Sequence, residues 1–237
     1  MLKIDGLQVK YGDFIAVSSV SMEAAEGKIT ALIGANGSGK TSLLSSAAGL
    51  IRPAAGWVKF CGEDITGLSA DQIVGRGLSL VPQGGHCFLR MSVLDNLMVG
   101  SYPKAARPHA KRSLERVLSL FPMLKEKLRD PAGSLSGGQR QMLAIGRAMM
   151  SEPRCMMFDE ISLGLAPIAV RDLYERVLRL NREEGVTMVI VEQDTERVLR
   201  TSDSCYVMLK GKVMASGPSA SLSPDAVRSA YFGMDTE

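Results

Sequence analysis

The sequence predicts an α/β fold: a mostly parallel core sheet covered by helices, with an N-terminal antiparallel β layer and a helical insert. Three observations lead there. Short alternating β patterns crowd the first part of the chain. A fully apolar run, "KITALIG" (28–34), stops at a glycine and is followed by a helical pattern. Strand signals then disappear between Gly84 and Met150 and return, alternating with helices, from Cys155 onward.

In order, "LKIDGLQV" (2–9) and "SSVSMEAA" (18–25) alternate apolar and polar residues and read as edge strands, whereas "KITALIG" reads as a central one. Helical spacing runs from Gly39 to about Gly49, after which "GWVKFCGEDIT" (56–66) and "GLSLVPQ" (77–83) read as strands. "SVLDNLMVG" (92–100), "HAKRSLERVLSLF" (109–121) and "SGGQRQMLAIGRAMM" (136–150) place apolar residues at helical spacing. The remainder reads as the strand "CMMFDE" (155–160), a helix over "PIAVRDLYERVLRLNREEG" (167–185) and the strand "VTMVIV" (186–191). Another helix and a hairpin over 204–217, turning at Gly211, follow. One domain over 1–237 is expected, with 1–83 and 151–237 forming the core and β layer and 84–150 the helical part.

Composition narrows the function. The net charge is +3, and its lysines and arginines are scattered among acids, so no basic tract marks a nucleic-acid partner and none is expected. The four cysteines, at 61, 87, 155 and 205, form no CxxC pair, and two histidines are too few to complete a zinc site. A disulfide framework is likewise unexpected, and a reducing cytosol fits. No stretch approaches the roughly 20 apolar residues that cross a bilayer, and "MLKIDGLQVK" lacks the layout of a signal peptide. Contact with a membrane is expected to go through a partner or the protein surface.

"GANGSGKT" (34–41) fits G-x-x-x-x-G-K-[ST] between an apolar strand and a helix, the context that makes this pattern a phosphate-binding loop. Glycines allow the tight turn that aims backbone N–H groups at phosphate oxygens, and the helix start adds its positive dipole end. Gly34, Asn36, Gly37, Ser38, Gly39, Lys40, Thr41 and Ser42 are the expected ATP contacts, with Lys40 reaching the β and γ phosphates. Thr41 offers a hydroxyl to Mg²⁺, a hard cation that takes oxygen ligands. The dinucleotide pattern G-x-G-x-x-G is not met at its spacing, and no acid stands where a ribose would need one.

Asp159 and Glu160 end an apolar strand at the carboxyl edge of the sheet, where open α/β folds bind ligands. Strand alternation sends the two side chains in different directions. Asp159 is expected on the water shell of Mg²⁺, and Glu160 at the γ-phosphate, orienting and deprotonating water. In "LSGGQ" (135–139), Ser136, Gly137 and Gly138 open a helix with a hydroxyl and free N–H groups, which makes an anion site. Alone, that string is no more than a serine N-cap.

Together with the phosphate loop and the acidic pair, "LSGGQ" resembles the ATP-binding subunits of ABC transporters, over the whole chain. The resemblance implies a P-loop NTPase core and ATP hydrolysis with Mg²⁺. It implies a head-to-tail dimer in which Ser136, Gly137, Gly138 and Gln139 of one subunit meet ATP on the other. It also places Tyr11 against adenine, a use that suits a flat aromatic face. Gln83 in "VPQ" corresponds to the glutamine loop that senses Mg²⁺ and the γ-phosphate, and "SLGLAP" (162–167) to the loop that touches the opposite subunit. Gln193 in "VEQD" stands where most of the family carries a switch histidine; it offers N–H donors but does not titrate near neutral pH.

"QMLAIGRAMMSEPR", "SLGLAP", "VEQ" and "AVRSAYFG" are similar to the LivF type of branched-chain amino acid importers. The chain departs from the pattern at Ile161, where proline is usual, and at Gln83, where many LivF-type chains carry glutamate. Glutamine in a "VPQG" setting also occurs in urea-importer ATPases, so urea or short amides stand as the alternative cargo. A chromosome-organising or DNA-repair ATPase would need a long coiled coil where about a hundred residues without sustained heptads separate Thr41 from LSGGQ. A non-hydrolysing subunit would commonly lack Glu160. The expected partners are a second ATPase subunit, LivG-type or another copy, two transmembrane permeases and, indirectly, a periplasmic binding protein. The expected place is the cytoplasmic face of a bacterial inner membrane. Phe88, Leu89, Met91, Val93 and Leu94 are the expected socket for a permease helix, and His86 and His109 are read as incidental.

Overall fold

The computed structural model describes residues 1–222; "AVRSAYFG" (226–233) lies outside them. Two sheets organise the chain. The first is antiparallel, built by β1 (Leu2–Tyr11), β2 (Phe14–Ala24), β4 (Ala55–Phe60) and β5 (Glu63–Asp64) in the order β2-β1-β4-β5. Leu2, Ile4, Leu7 and Val9 of β1 are buried on one face, which is why its sequence alternates. The alternation suggested an edge strand, but β1 is interior, hydrogen-bonded to β2 on one side and β4 on the other. Alternation reports a solvated face rather than a free edge.

The second sheet has the order β10-β9-β3-β8-β7-β6. Its strands β3 (Ile29–Gly34), β6 (Leu78–Val81), β7 (Cys155–Asp159), β8 (Thr187–Glu192) and β9 (Ser204–Leu209) run parallel. Among the described residues only β10 (Lys212–Pro218) is antiparallel in this sheet, as the hairpin partner of β9. β3, β7 and β8 are buried along their whole length, as their apolar runs require of strands covered on both faces. Their carboxyl ends carry Gly34, Asp159 and Glu192 to one edge of the sheet.

Helices α1 (Lys40–Ala47) and α2 (Ala70–Val74) belong to the first part of the chain. Helices α3 (Val93–Val99), α4 (Ala110–Leu120), α5 (Pro122–Lys125) and α6 (Gly137–Met149) follow β6, and no strand falls among them. They share one core: Leu97, Val117, Phe121, Leu143 and Ile145 are wholly buried, each worth roughly 1.5–3 kcal/mol of transfer free energy. Val93 is also at 0% exposure in this core, so it does not contribute to an exposed socket as expected. Helix α7 (Pro167–Glu184) starts with proline at its first turn and stops at Gly185, whose φ of 67° ends the hydrogen-bond ladder; α8 (Thr195–Thr201) follows β8. Among the described residues no helix is long and apolar enough to cross a membrane.

Candidate nucleotide site

The loop from Gly34 to Gly39 joins β3 to α1 at the sheet edge, and its glycines answer to crowding. A Cβ on Gly34 would lie 2.2 Å from the Met208 carbonyl oxygen, and one on Gly39 2.4 Å from that of Ala16. Gly39 is also left-handed, at φ 100°, and gives α1 no side-chain cap. The amides of Lys40, Thr41 and Ser42 open the helix, where no intrahelical acceptor serves them, so they form an anion site with the helix dipole behind it.

Lys40 is buried and its Nζ donates to the carbonyls of Gly34 (2.8 Å) and Ala35 (3.0 Å), with Glu160 Oε1 at 3.5 Å. Thr41 Oγ1 donates to Asp159 Oδ1 at 3.2 Å. Burial pushes the Asp159 carboxyl above its ordinary range against the pull of the Thr41 hydrogen bond, and the neighbouring charges of Glu160 and Glu192 push the same way. A divalent cation would remove that penalty. The donors gathered there, a hydroxyl and a carboxylate, are the hard oxygens that Mg²⁺ takes alongside phosphate oxygens and water.

Glu160 falls just past β7 with φ 48°, a conformation rare for a residue with a side chain, and its N–H donates to Val191 O at 3.0 Å. The strand alternation expected to separate the two acids therefore stops at Asp159. Instead, the turn brings the Glu160 carboxylate into the loop region. Gln193 Nε2 donates to its Oε2 at 2.9 Å and also to Asn36 Oδ1 at 2.9 Å, while Gln83 Nε2 lies 3.4 Å from the same Oε2. Lys40, Gln83 and Gln193, from three different segments, thus converge on one carboxylate.

A cavity of about 450 Å³ opens over the loop, lined by residues that include Tyr11, Phe14, Lys40, Thr41, Gln83 and Glu160. Tyr11 donates to or accepts from Ser42 Oγ at 3.2 Å and is 51% exposed, so it is not a packed strand tyrosine. Phe14 is 67% exposed beside it, its register partner across the β1–β2 hairpin. Sequence reasoning missed Phe14, although a two-residue Gly-Asp turn between Tyr11 and Phe14 was a readable hairpin signal. Asn36, Gly37, Gly39 and Ser42 also line the cavity; Gly34, Asp159 and Gln193 are not among its lining residues, and Gln193 lines an adjoining cavity that Glu160 shares. Ser38 is buried, with its N–H closing the turn on Ala35 O at 3.1 Å and its hydroxyl unpartnered among the described residues.

Ser136, Gly137, Gly138 and Gln139 do not line this cavity. They form a capped helix start of their own: Ser136 Oγ accepts from the Gln139 N–H at 3.3 Å, and Gln139 Oε1 from the Ser136 N–H at 3.1 Å. The start of α6 lies against the loop before α7 and the first turn of α7, with a Cβ on Gly137 3.5 Å from Leu165 and one on Gly138 3.2 Å from Ala169.

A phosphate loop on a parallel sheet edge, a strand-end carboxylate held by that loop's lysine, and a second glycine-rich helix start define an ATP-binding cassette. The chain belongs to the ABC transporter family, whose model matches residues 17–162, and it is an ATP-binding, ATP-hydrolysing subunit of that family. It is 41% identical over 234 residues to the high-affinity branched-chain amino acid transport ATP-binding protein BraG of Pseudomonas aeruginosa, covering 98% of this chain and 100% of BraG. It is 32% identical to the probable branched-chain amino acid transport ATP-binding protein LivF of Archaeoglobus fulgidus, over 92% of each chain. A nucleotide-free ATP-binding cassette from an ABC transporter superposes with a TM-score of 0.83 at 28% identity, over 97% of this chain and 94% of the other. A cassette in its ADP conformation gives 0.82, also at 28% identity, over 97% and 93%.

Proposed function

We propose that this chain hydrolyses ATP through Glu160 to drive import of branched-chain amino acids. The observation that carries the chemistry is the convergence of Lys40, Gln83 and Gln193 on the Glu160 carboxylate. Lys40 and the amides that open α1 bind the β and γ phosphates, and Tyr11 and Phe14 offer aromatic faces to adenine. Thr41, Asp159 and Gln83 would hold Mg²⁺, which when bound would supply charge neutralisation at the phosphates. Glu160 takes the proton from the attacking water, while Gln193 and Gln83 hold its Oε2 in place without competing for that proton.

Because Ser136–Gln139 stand outside the cavity, their proposed contact with ATP is made across a head-to-tail dimer, with a LivG-type subunit or a second copy. The likeness to BraG supports branched-chain amino acids as the cargo, chosen by a periplasmic binding protein and carried by two permeases. The chain then works as a peripheral subunit on the cytoplasmic face of the inner membrane. A cleft of about 290 Å³ bounded by α2, Pro82, the end of α3 and Arg147 supports a docking groove for a permease helix there. Val74, Leu80, Val99, Tyr102 and Pro103 make it apolar; Phe88 and Leu89 are exposed but stand outside it.

The test is uptake by the complete transporter in vesicles loaded with Mg-ATP. Leucine-dependent uptake coupled to phosphate release supports the reading. Uptake of urea with no response to leucine, isoleucine or valine overturns the cargo.

A further inference from the structure

Glu192 closes β8 one residue before Gln193 and is only 2% exposed. Its carboxylate accepts three hydrogen bonds and makes no ion pair among the described residues. Oε1 takes the Ser162 N–H at 3.3 Å and the Tyr174 hydroxyl at 2.7 Å, and Oε2 takes the Ser162 hydroxyl at 2.8 Å. A buried carboxylate is strongly disfavoured unless such donors satisfy it, and bonds to an ionised acceptor are the stronger kind.

The donors come from elements that sequence distance separates. Ser162 lies in the loop 161–166 between β7 and α7, directly after Glu160 and Ile161, and Tyr174 lies in the second turn of α7. The Tyr174 hydroxyl is kept protonated, its pKa raised by burial and then by the Glu192 charge, so it remains a donor. The far side of the cluster is held as well. Arg197 stacks over the Tyr174 ring at 5.2 Å and pairs with Asp194 at 2.7 Å, and Asp194 caps α8 through the Arg197 N–H at 3.1 Å. One carboxylate therefore fastens the loop after Glu160 to the strand end that presents Gln193.

We propose that Glu192 is a positioning residue that holds the loop 161–166 against the end of β8, and so keeps Gln193 in hydrogen-bond register with Glu160. This rests on the hydrolytic reading above. Glu192 does not line the nucleotide cavity, and acts through the Gln193–Glu160 bond of 2.9 Å. Displacement of the loop, which lies next to the start of α6, is thereby felt at Gln193.

The experiment measures kcat and KM for ATP in the assembled transporter carrying Glu192→Gln, Ser162→Ala or Tyr174→Phe, each alone and combined with Gln193→Ala. Glu192→Gln, which keeps shape but loses charge, is expected to lower kcat about tenfold, the change that one hydrogen bond to a charged group converts to. KM and the affinity for a fluorescent ATP analogue stay within about twofold, since the residue does not line the nucleotide cavity. In the Gln193→Ala background the same change produces no further loss, because both act through one interaction. Ser162→Ala and Tyr174→Phe each remove one donor to the carboxylate and are expected to show the same pattern at up to about tenfold, which keeps the test in force if Glu192→Gln fails to fold. Losses that multiply with Gln193→Ala, a rise in KM with kcat intact, or unchanged kcat in all three variants overturn the proposal. A wild-type complex that does not turn over Mg-ATP overturns the hydrolytic reading itself, a distinct outcome.

Discussion

Gln193→Ala removes two hydrogen bonds from one amide, to Glu160 Oε2 and to Asn36 Oδ1, both of 2.9 Å. The first goes to a carboxylate in a part-buried setting, and such bonds are worth about 1.5–3 kcal/mol, or about tenfold to a hundredfold in rate. Gln83 Nε2 at 3.4 Å and Lys40 Nζ at 3.5 Å still address the same carboxylate, which places the expected fall in kcat near the lower end, about tenfold. KM for ATP changes little, because the lost donor faces the base rather than the nucleotide. Gln193→His restores an N–H donor and most of the rate, but it adds a titration that the wild-type amide lacks. Below about pH 6.5 a histidine at this position becomes a cation, so only this variant gains an acid limb in its kcat profile. Phosphate release by the assembled complex at saturating Mg-ATP, across a series of pH values, reads all three. A Gln193→Ala complex with wild-type kcat refutes the account of Gln193 as the group that orients the base.

Asp159→Asn separates stability from activity. Burial raises the folded-state pKa of Asp159 above its usual 3.8, so the stability this group contributes below that value is lost as pH rises through the folded value. At pH 7 without nucleotide the Asn variant is therefore expected to melt at a higher temperature than wild type, with the gap closing toward pH 4, while Mg-dependent turnover is lost; a lower melting temperature at pH 7 contradicts this. Cysteine labelling gives a second check. Burial pushes both Cys155 and Cys205 up to about 12, so iodoacetamide at pH 8 is expected to modify neither until denaturant is added, as mass spectrometry of the folded protein would show. Modification of either in the folded protein contradicts that burial.

The local features of this fold were legible because their motifs carry their own geometry. "GANGSGKT" contains the glycines, the lysine and the helix start that place Lys40 and Thr41, and "LSGGQ" contains both halves of its capping box. What needed tertiary contacts was not legible. The alternation of β1 revealed its buried face, with Ile4 and Leu7 inward, but not that β2 and β4 flank it. Val93 reads like its half-buried neighbours Met91 and Leu94 until the helical core closes over it. Phe14 gains meaning only across the hairpin from Tyr11, and Glu192 only once Ser162, thirty residues away, folds against it. Helix α2 is short, yet the capping box formed by Ser69 and Gln72 was a signal for it.

The central claim is that Glu160 is the base for ATP hydrolysis. The most direct measurement is single-turnover hydrolysis of Mg-ATP by the assembled transporter with Glu160→Gln, paired with the subunit association state in ATP. Turnover is expected to be at least about a hundredfold slower, the range for losing a general base, with ATP retained and the ATPase subunits trapped together. Wild-type hydrolysis by the Glu160→Gln complex would contradict it.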